Sequence, residues 1–194
     1  RIYLGGVDPF TLVADNGNVY NVADNGTPSS AYVTGRSTTA VIDFPYDRDM
    51  VAVFDGTNVP KKSVDGSTFT QLGISAPSVA PVASAVAGGS LVAGNNYRVS
   101  YAYYDSSLNQ VGNESTTDDQ ATAGANVTIR VAVTASADPQ VTHIKVYAQD
   151  VTAGDSVRRL TATIANTTAN HDITTNNWDG QDEPATDHNV AEPM

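Results

Sequence analysis

The carboxylates are the side chains of this sequence best suited to chemistry, because hydrolysis and general acid-base catalysis use paired carboxylates held at rigid positions in a cleft. Nine of the 21 stand in sequences that we interpret as turns: Asp15, Asp24, Asp55, Asp65, Asp118, Asp119, Asp155, Asp179 and Asp182. An Asp at the start of a turn accepts hydrogen bonds from the backbone N–H groups that follow it. We therefore predict that these carboxylates shape turns, and we expect no enzymatic activity from the chain.

The three histidines, His143, His171 and His188, show no spacing typical of a zinc site or of an activated nucleophile. We expect His143 on a sheet surface, and we expect His171 to form a local structural pair with Asp172. The chain has no cysteine, which excludes disulfides, thiolate catalysis and Cys-ligated zinc.

Calcium is the one cofactor for which the sequence offers ligands. Asp118 with Asp119, or Asp179 with Asp182 and Glu183, would supply the hard oxygen atoms that calcium prefers. Neither group matches the D-x-D-x-D-G pattern of a calcium-binding loop. We favour solvated acidic loops at both places and predict no cofactor.

Aromatic side chains offer recognition as a second kind of chemistry. Tyr97, Tyr101 and Tyr103 alternate along one predicted strand and are expected to fill a core, which leaves Tyr104 on the opposite face. An exposed Tyr104 would anchor a protein partner or stack on a sugar. Trp178 stands outside any periodic segment, and we predict that it docks the C-terminal connector on its own domain, with an intersubunit contact as the alternative. Tyr104 and Trp178 are therefore the candidate interaction anchors.

The elements that must position these residues are β-strands. The chain of 194 residues is 40% hydrophobic, and its Val, Ala, Ile and Tyr are interleaved with Thr, Ser, Asn and Gly, a mixture typical of half-exposed strands and frequent turns. The net charge of -11 repels phosphate backbones, so we expect no nucleic-acid partner. No segment approaches the roughly 18 consecutive apolar residues of a membrane-spanning helix.

The order of these patterns predicts four regions. Residues 1–75 hold four hairpin turn signals and form a β-hairpin region, either one propeller-like blade, a meander or part of a second β-domain. Residues 76–93 form a Pro/Ala/Gly linker and a first strand, with Gly88-Gly89 as a flexible turn. Residues 94–175 alternate in the manner of an antiparallel sandwich. Residues 176–194 are predicted to be an extended acidic connector.

Several segments of the sandwich resemble a known family. Asn96–Asp105, followed by Asn113-Glu114-Ser115, resembles the signature of fibronectin-type-III-like modules in tailed-phage virion proteins. Residues 141–147 are similar to a strand of those modules that ends in Tyr, and residues 159–164 with 171–174 are similar to their closing strand. The resemblance implies an all-β fold with a fibronectin-III/Ig-like antiparallel sandwich preceded by a smaller β-hairpin region.

The similarity extends before the sandwich as well. Residues 51–62, with Asp65-Gly66 after them, look like the propeller-type hairpins that accompany such modules in phage structural proteins. The resemblance therefore covers about residues 50–175. It departs from the usual pattern at Ala148, where an arginine often follows the tyrosine.

The resemblance implies a non-enzymatic structural or docking component of a phage or virus-like particle, located in the virion. Such a component would contact other structural subunits by surface complementarity and edge-strand pairing, within a homo- or hetero-oligomer. The alternative is a carbohydrate- or receptor-binding module of a secreted or cell-surface bacterial protein, which an exposed Tyr104 or Trp178 would favour. A fragment of an enzyme whose active site lies elsewhere is a third hypothesis. Because the chain begins at Arg1 without Met, we expect a piece of a longer protein or a processed product.

Overall fold

The computed structural model describes residues 2, 4–6, 8–47, 49–122, 127–178 and 181–184. These residues form fourteen β-strands and no helix, which confirms the predicted all-β class. Accordingly, none of the described residues belongs to a helix that could cross a membrane. The chain divides into two compact units, residues 1–72 and residues 73–190.

The first unit contains a two-stranded hairpin and a four-stranded antiparallel meander. Its strands are β1 (Leu12–Asp15), β2 (Asn18–Asn21), β3 (Tyr46–Asp47), β4 (Met50–Val53), β5 (Lys61–Ser63) and β6 (Thr70–Gln71). Asn16 and Gly17 both have positive φ, at 46° and 76°, which is the geometry that an Asn-Gly turn between two strands predicts. Two small apolar clusters stabilise the unit, one with Phe10 and Val51 and one with Val19 and Val53.

The second unit is a sandwich of two antiparallel sheets. Its strands are β7 (Val82–Leu91), β8 (Asn96–Asp105), β9 (Gln110–Glu114), β10 (Asp118–Ala121), β11 (Val127–Val133), β12 (His143–Asp150), β13 (Arg159–Ala165) and β14 (Ala169–Ile173). One sheet has the order β14-β11-β7, and the other has the order β10-β8-β12-β13 with β9 also paired to β8. The chain crosses between the sheets repeatedly, as in an Ig-like sandwich. The predicted fold class is confirmed.

The core lies between the two sheets and follows the predicted alternation. Tyr97, Tyr101 and Tyr103 of β8 are at most 8% exposed and pack in one cluster with Ile129 and Val131 of β11. Because side chains on a strand alternate between its two faces, the intervening residues of β8 point to the outer face of its sheet. This alternation places Tyr104 on the outer face, as the sequence predicts.

Gly88 and Gly89 lie inside β7, so the predicted flexible turn at this place is wrong. Both have positive φ, at 102° and 78°, and bend the strand so that Ser90 donates a hydrogen bond to the carbonyl oxygen of Thr174 at 2.7 Å. A Cβ on Gly89 would lie 2.8 Å from that same oxygen and 2.9 Å from the carbonyl oxygen of Val127. Only glycine combines this backbone conformation with this close approach.

We expect Gly89→Ala to destabilise the sandwich by about 2 kcal/mol more than Gly94→Ala does. Gly94 also has positive φ, at 85°, but a Cβ there meets no atom within 4 Å, so this control measures the backbone penalty alone. Urea unfolding followed by the fluorescence of Trp178 would give both values. Equal losses of stability in the two variants would mean that the close approach of the backbone at Gly89 adds nothing to the cost of the substitution.

Candidate interaction surfaces

Asp65 holds the backbone of its turn, whereas Asp118 and Asp119 lie in strand β10, so the predicted turn and solvated acidic loop are wrong for these two residues. Asp65 accepts hydrogen bonds from the N–H groups of Ser67 and Thr68 at 2.8 and 2.7 Å, and Asp105 accepts one from the N–H group of Ser107 at 2.8 Å. The bonds from Thr68 and then Ser67 are the main reason why the pKa of Asp65 lies well below its ordinary value. In both Asp65 and Asp105 the carboxylate accepts hydrogen bonds from the backbone N–H groups that follow it, as turn-forming aspartates do.

Asp55 has a larger role than its turn sequence indicates. Its side chain is fully buried and accepts hydrogen bonds from the N–H groups of Ser37, Thr57 and Asn58, from the side-chain amide of Asn58, and from the guanidinium of Arg36 at 3.0 Å. Arg36 is itself buried and also donates to the carbonyl oxygen of Val59 at 2.8 Å. No spacing in the sequence connects Arg36 to Asp55, so sequence reasoning missed this pair.

The two groups of acids considered for calcium are engaged in the sandwich where the structure describes them. Asp118 accepts a hydrogen bond from the N–H group of Ala83 at 2.7 Å, and Asp119 binds Arg98. Glu183 lies 2.8 Å from Arg159. Asp179 and His188 lie outside the described residues. Among the residues that are described, no three His, Asp or Glu side chains are grouped so that they could hold a metal ion.

The predicted local pair of His171 with Asp172 is wrong, because consecutive residues of a strand point to opposite faces. Asp172 instead forms a bidentate ion pair with Arg130 of the neighbouring strand, in which both N···O distances are 2.7 Å. Arg98 and Asp119 form the same arrangement on the other sheet. Both pairs are more than one-third exposed, so we assign them little stability.

Every Lys and Arg of the sandwich unit is described, and each has an acidic partner. The pairs are Arg98–Asp119, Arg130–Asp172, Lys145–Asp182, Arg158–Glu114 and Arg159–Glu183. A phosphate-binding surface needs cations that are free to replace counterions. The described surface of this unit offers none.

The Asn113-Glu114-Ser115 motif holds β9 to β8. Glu114 accepts a hydrogen bond from the hydroxyl of Ser100 at 2.6 Å and binds Arg158. Ser115 donates its N–H group to the carbonyl oxygen of Tyr101 at 2.7 Å and accepts the N–H group of Tyr101 on its hydroxyl at 3.2 Å. The motif on which the family resemblance depends therefore has a structural role in this chain.

Tyr104 is half-buried on the outer face of its sheet. Its hydroxyl donates to the side-chain oxygen of Asn109 at 3.0 Å, and the Nζ atom of Lys145 lies 4.7 Å from the centre of its ring. The ring of His143 lies beside it, with the ring centres 6.2 Å apart. One face of the Tyr104 ring thus already contacts a cation, which occupies a position that a stacked sugar would need.

Trp178 packs on its own sandwich. The indole is 4% exposed, belongs to the core cluster and meets Tyr97 edge to face, with ring centres 6.2 Å apart. Asp182 lies beside β13 of the other sheet, where Leu160 donates its N–H group to the carbonyl oxygen of Asp182 at 2.8 Å. The role of Trp178 as an anchor for a partner molecule stays a prediction.

A cleft of about 520 Å³ lies beside Trp178, between β13 and β14. Its lining includes the polar side chains of Thr161, His171, Asn177 and Gln181. Burial lowers the pKa of His171, although the nearby Asp172 acts in the opposite direction. The cleft therefore presents hydrogen-bonding groups, the carboxylate of Asp172 among them, beside an aromatic ring.

Among the described residues, no strand pairs with the outer edge of β7, although β10 lies beside it. β7 pairs with β11 from Val82 to Ala87, and on its other side the N–H group of Ala83 donates to Asp118. Because the backbone of an antiparallel strand alternates in direction, the N–H and C=O groups of Ala85 and Ala87 point to the same outer edge. Both alanines are exposed, and no described residue forms a hydrogen bond with them at that edge.

β7 itself carries no charged side chain, but the carboxylate of Asp118 lies at its outer edge. The sequence has no charged residue between Asp65 and Arg98, although 16% of the chain is charged. Val79 and Val82, at the start of β7, are 54% and 65% exposed. An exposed edge strand is normally shortened, charged or covered, and Ala85 and Ala87 of β7 have no partner strand on this side among the described residues.

No protein-family model matches the chain, and no curated protein is similar to it.

Proposed function

We propose that the protein is a non-enzymatic structural or docking component of a phage or virus-like particle, and that its sandwich contacts neighbouring subunits of the assembly. The resemblance of Asn96–Asp105 and Asn113-Glu114-Ser115 to virion modules supports the kind of particle. The docking role rests on the backbone groups of Ala85 and Ala87, which have no hydrogen-bond partner among the described residues at the outer edge of β7.

Strand addition at this edge uses groups that are already in place. A strand laid against β7 would form hydrogen bonds with the backbone groups of Ala85 and Ala87. The small side chains of β7 present no steric obstacle, and its pairing with β11 holds the strand in an extended conformation before a partner arrives. Such preorganisation lowers the entropy lost on binding.

The alternative role, carbohydrate binding, is favoured by one observation, the polar cleft beside Trp178. The two predicted aromatic anchors do not support it, since the indole is buried and Lys145 lies over the Tyr104 ring. Titration calorimetry with neutral oligosaccharides tests it. Saturable binding that is lost in Asn177→Ala would favour this role over docking.

We expect the chain to associate as its concentration rises and Ala85→Pro to abolish that association. Proline removes the N–H group of Ala85, which faces the open edge, and leaves the hydrogen bonds between β7 and β11 intact. The melting temperature should therefore stay close to that of the unmodified chain. Sedimentation velocity over a concentration series measures the association.

Ala85→Val is the matched control, because it keeps the N–H group and favours a strand. It should associate like the unmodified chain. A chain that stays monomeric at every concentration, or a proline variant that associates normally, would contradict docking through this edge.

A further inference from the structure

β13 is an edge strand, and residues 181–184 lie beside it. Its sheet has the order β10-β8-β12-β13, so among the described residues no strand pairs with the outer edge of β13. Leu160 donates its N–H group outward from this edge to the carbonyl oxygen of Asp182 at 2.8 Å. We infer that residues 181–184, the acidic strap, are fastened to the sheet by charge and guard the edge of β13 against pairing with another strand. This role goes beyond the docking proposed for β7.

Two ion pairs fasten the acidic strap. The guanidinium of Arg159 lies 2.8 Å from the carboxylate of Glu183 and donates a hydrogen bond to the carbonyl oxygen of Gln181 at 3.2 Å. The Nζ atom of Lys145 lies 4.0 Å from the carboxylate of Asp182. Both acidic side chains of the strap therefore have a cation of the sheet as partner, one from β12 and one from β13.

The strap also lies beside an aromatic ring on the outer face of the sheet. Val146 and Ala148 belong to the core, so Tyr147 between them points to the outer face. A ring on that face is exposed unless other groups cover it, yet Tyr147 is 1% exposed. Burial raises the pKa of its phenol, and the carboxylates of Asp182 and then Glu114 raise this pKa further, which places both near the ring. Asp182 is thus part of the cover.

The hold on the strap is weak compared with the hold on the indole before it. The side chains of Asp182 and Glu183 are 77% and 51% exposed, and ion pairs of exposed carboxylates contribute little and are screened by salt. Trp178, by contrast, belongs to the core cluster. The chain is therefore anchored at Trp178, while the strap can open locally at low cost.

An opened strap uncovers features that favour strand pairing. The N–H group of Leu160 loses its acceptor, and Tyr147, its partner in the neighbouring strand, loses part of its cover. Proteins commonly cover an exposed edge with a loop, because its free backbone groups otherwise pair with another chain. The acidic strap is such a cover, and its charges set how often it opens.

Removing the two charges tests the fastening. We expect Asp182→Asn with Glu183→Gln to speed hydrogen exchange of the Leu160 amide about fivefold at low salt, because both ion pairs are lost while the side chains keep their size. Raising NaCl from about 0.02 M to about 0.5 M should speed this exchange in the unmodified chain but not in the double variant. NMR spectroscopy measures each amide, with Ile144 between β8 and β13 as the internal reference.

The matched control is Asp119→Asn with Asp172→Asn. It removes the same number of charges from two exposed ion pairs, those with Arg98 and Arg130, neither of which involves the strap. Exchange at Leu160 should stay unchanged in this control. Equal exchange in the double variant and the control, or exchange in the unmodified chain that ignores salt, would overturn the fastening by charge.

Sedimentation velocity tests the guarding role. Ala85→Pro blocks β7, and in this background we expect Asp182→Asn with Glu183→Gln to cause association as the concentration rises. The control substitutions in the same background give the same net charge and should leave the chain monomeric. Faster exchange at Leu160 without association would overturn the guarding role. The docking proposed for β7 is judged separately, by whether Ala85→Pro alone abolishes association of the unmodified chain.

Discussion

Asp55→Ala is expected to destabilise the first unit by about 3 to 5 kcal/mol, because it leaves the buried guanidinium of Arg36 without its counter-charge. The substitution also deprives the N–H groups of Ser37, Thr57 and Asn58 of their acceptor. A loss of this size approaches the whole stability of a small domain. We therefore expect residues 1–72 to be largely unfolded in this variant at room temperature.

Amide hydrogen exchange followed by mass spectrometry measures this effect separately in each unit. Peptides from residues 1–72 should lose their protection, and peptides from residues 73–178 should keep it, since the partners of Asp55 described above all belong to the first unit. The emission of Trp178, the only tryptophan, should stay that of a buried indole. Protection retained throughout residues 1–72 would show that the buried pair contributes little.

Asp65→Ala is the matched control for this experiment. Asp65 also accepts hydrogen bonds from its turn backbone but has no buried cation as partner, so its loss should cost about 1 kcal/mol. The difference between the two variants measures the contribution of the pair with Arg36, not that of turn formation.

Acid should reveal the hydrogen bonds of the Asp55 carboxylate. Burial by itself raises the pKa of Asp55, but hydrogen bonds, above all those from Ser37 and Asn58, outweigh it and bring the pKa well below its ordinary value. A carboxyl with a lowered pKa stabilises the fold above the pKa of the unfolded chain, and this contribution is lost as the pH falls towards the folded pKa. The free energy of unfolding of the first unit should therefore decrease as the pH falls below the pKa of an unfolded aspartate, which urea unfolding at a series of acid pH values measures.

Trp178→Ala is expected to destabilise the sandwich by about 3 to 5 kcal/mol, the usual cost of removing a large aromatic side chain from a core. The indole fills space beside Tyr97, which is 1% exposed, and the surrounding sheets cannot collapse into the cavity. Without the ring, the segment after it loses its main apolar contact. Urea unfolding followed by circular dichroism measures the loss of stability.

The amide of Leu160 reports on the segment itself, because its N–H group binds the carbonyl oxygen of Asp182. Its exchange should accelerate in Trp178→Ala more than the exchange of Ile144 at the centre of the sheet. Leu108→Ala is the control, since Leu108 is 60% exposed and its truncation should change stability by less than about 0.5 kcal/mol. Unchanged exchange at Leu160 would mean that the indole does not hold this segment.

Local patterns were sufficient to predict the elements and the inward face of the core. The alternation of Tyr97, Tyr101 and Tyr103 has the period of a strand with one buried face, and the structure buries all three. Asn16-Gly17 specified its hairpin because few other residues accept positive φ at adjacent positions. These features depend on residues close together in the chain, and the sequence alone therefore determined them.

The tertiary structure decided what depends on residues far apart in the chain. It brought Arg36 to Asp55, and it turned Gly88-Gly89 from a predicted turn into the bend of a strand that meets Thr174. It also buried Trp178 and left the outer groups of Ala85 and Ala87 open. Backbone alternation says which way a side chain points, but only the pairing of distant strands decides which edge is left without a partner.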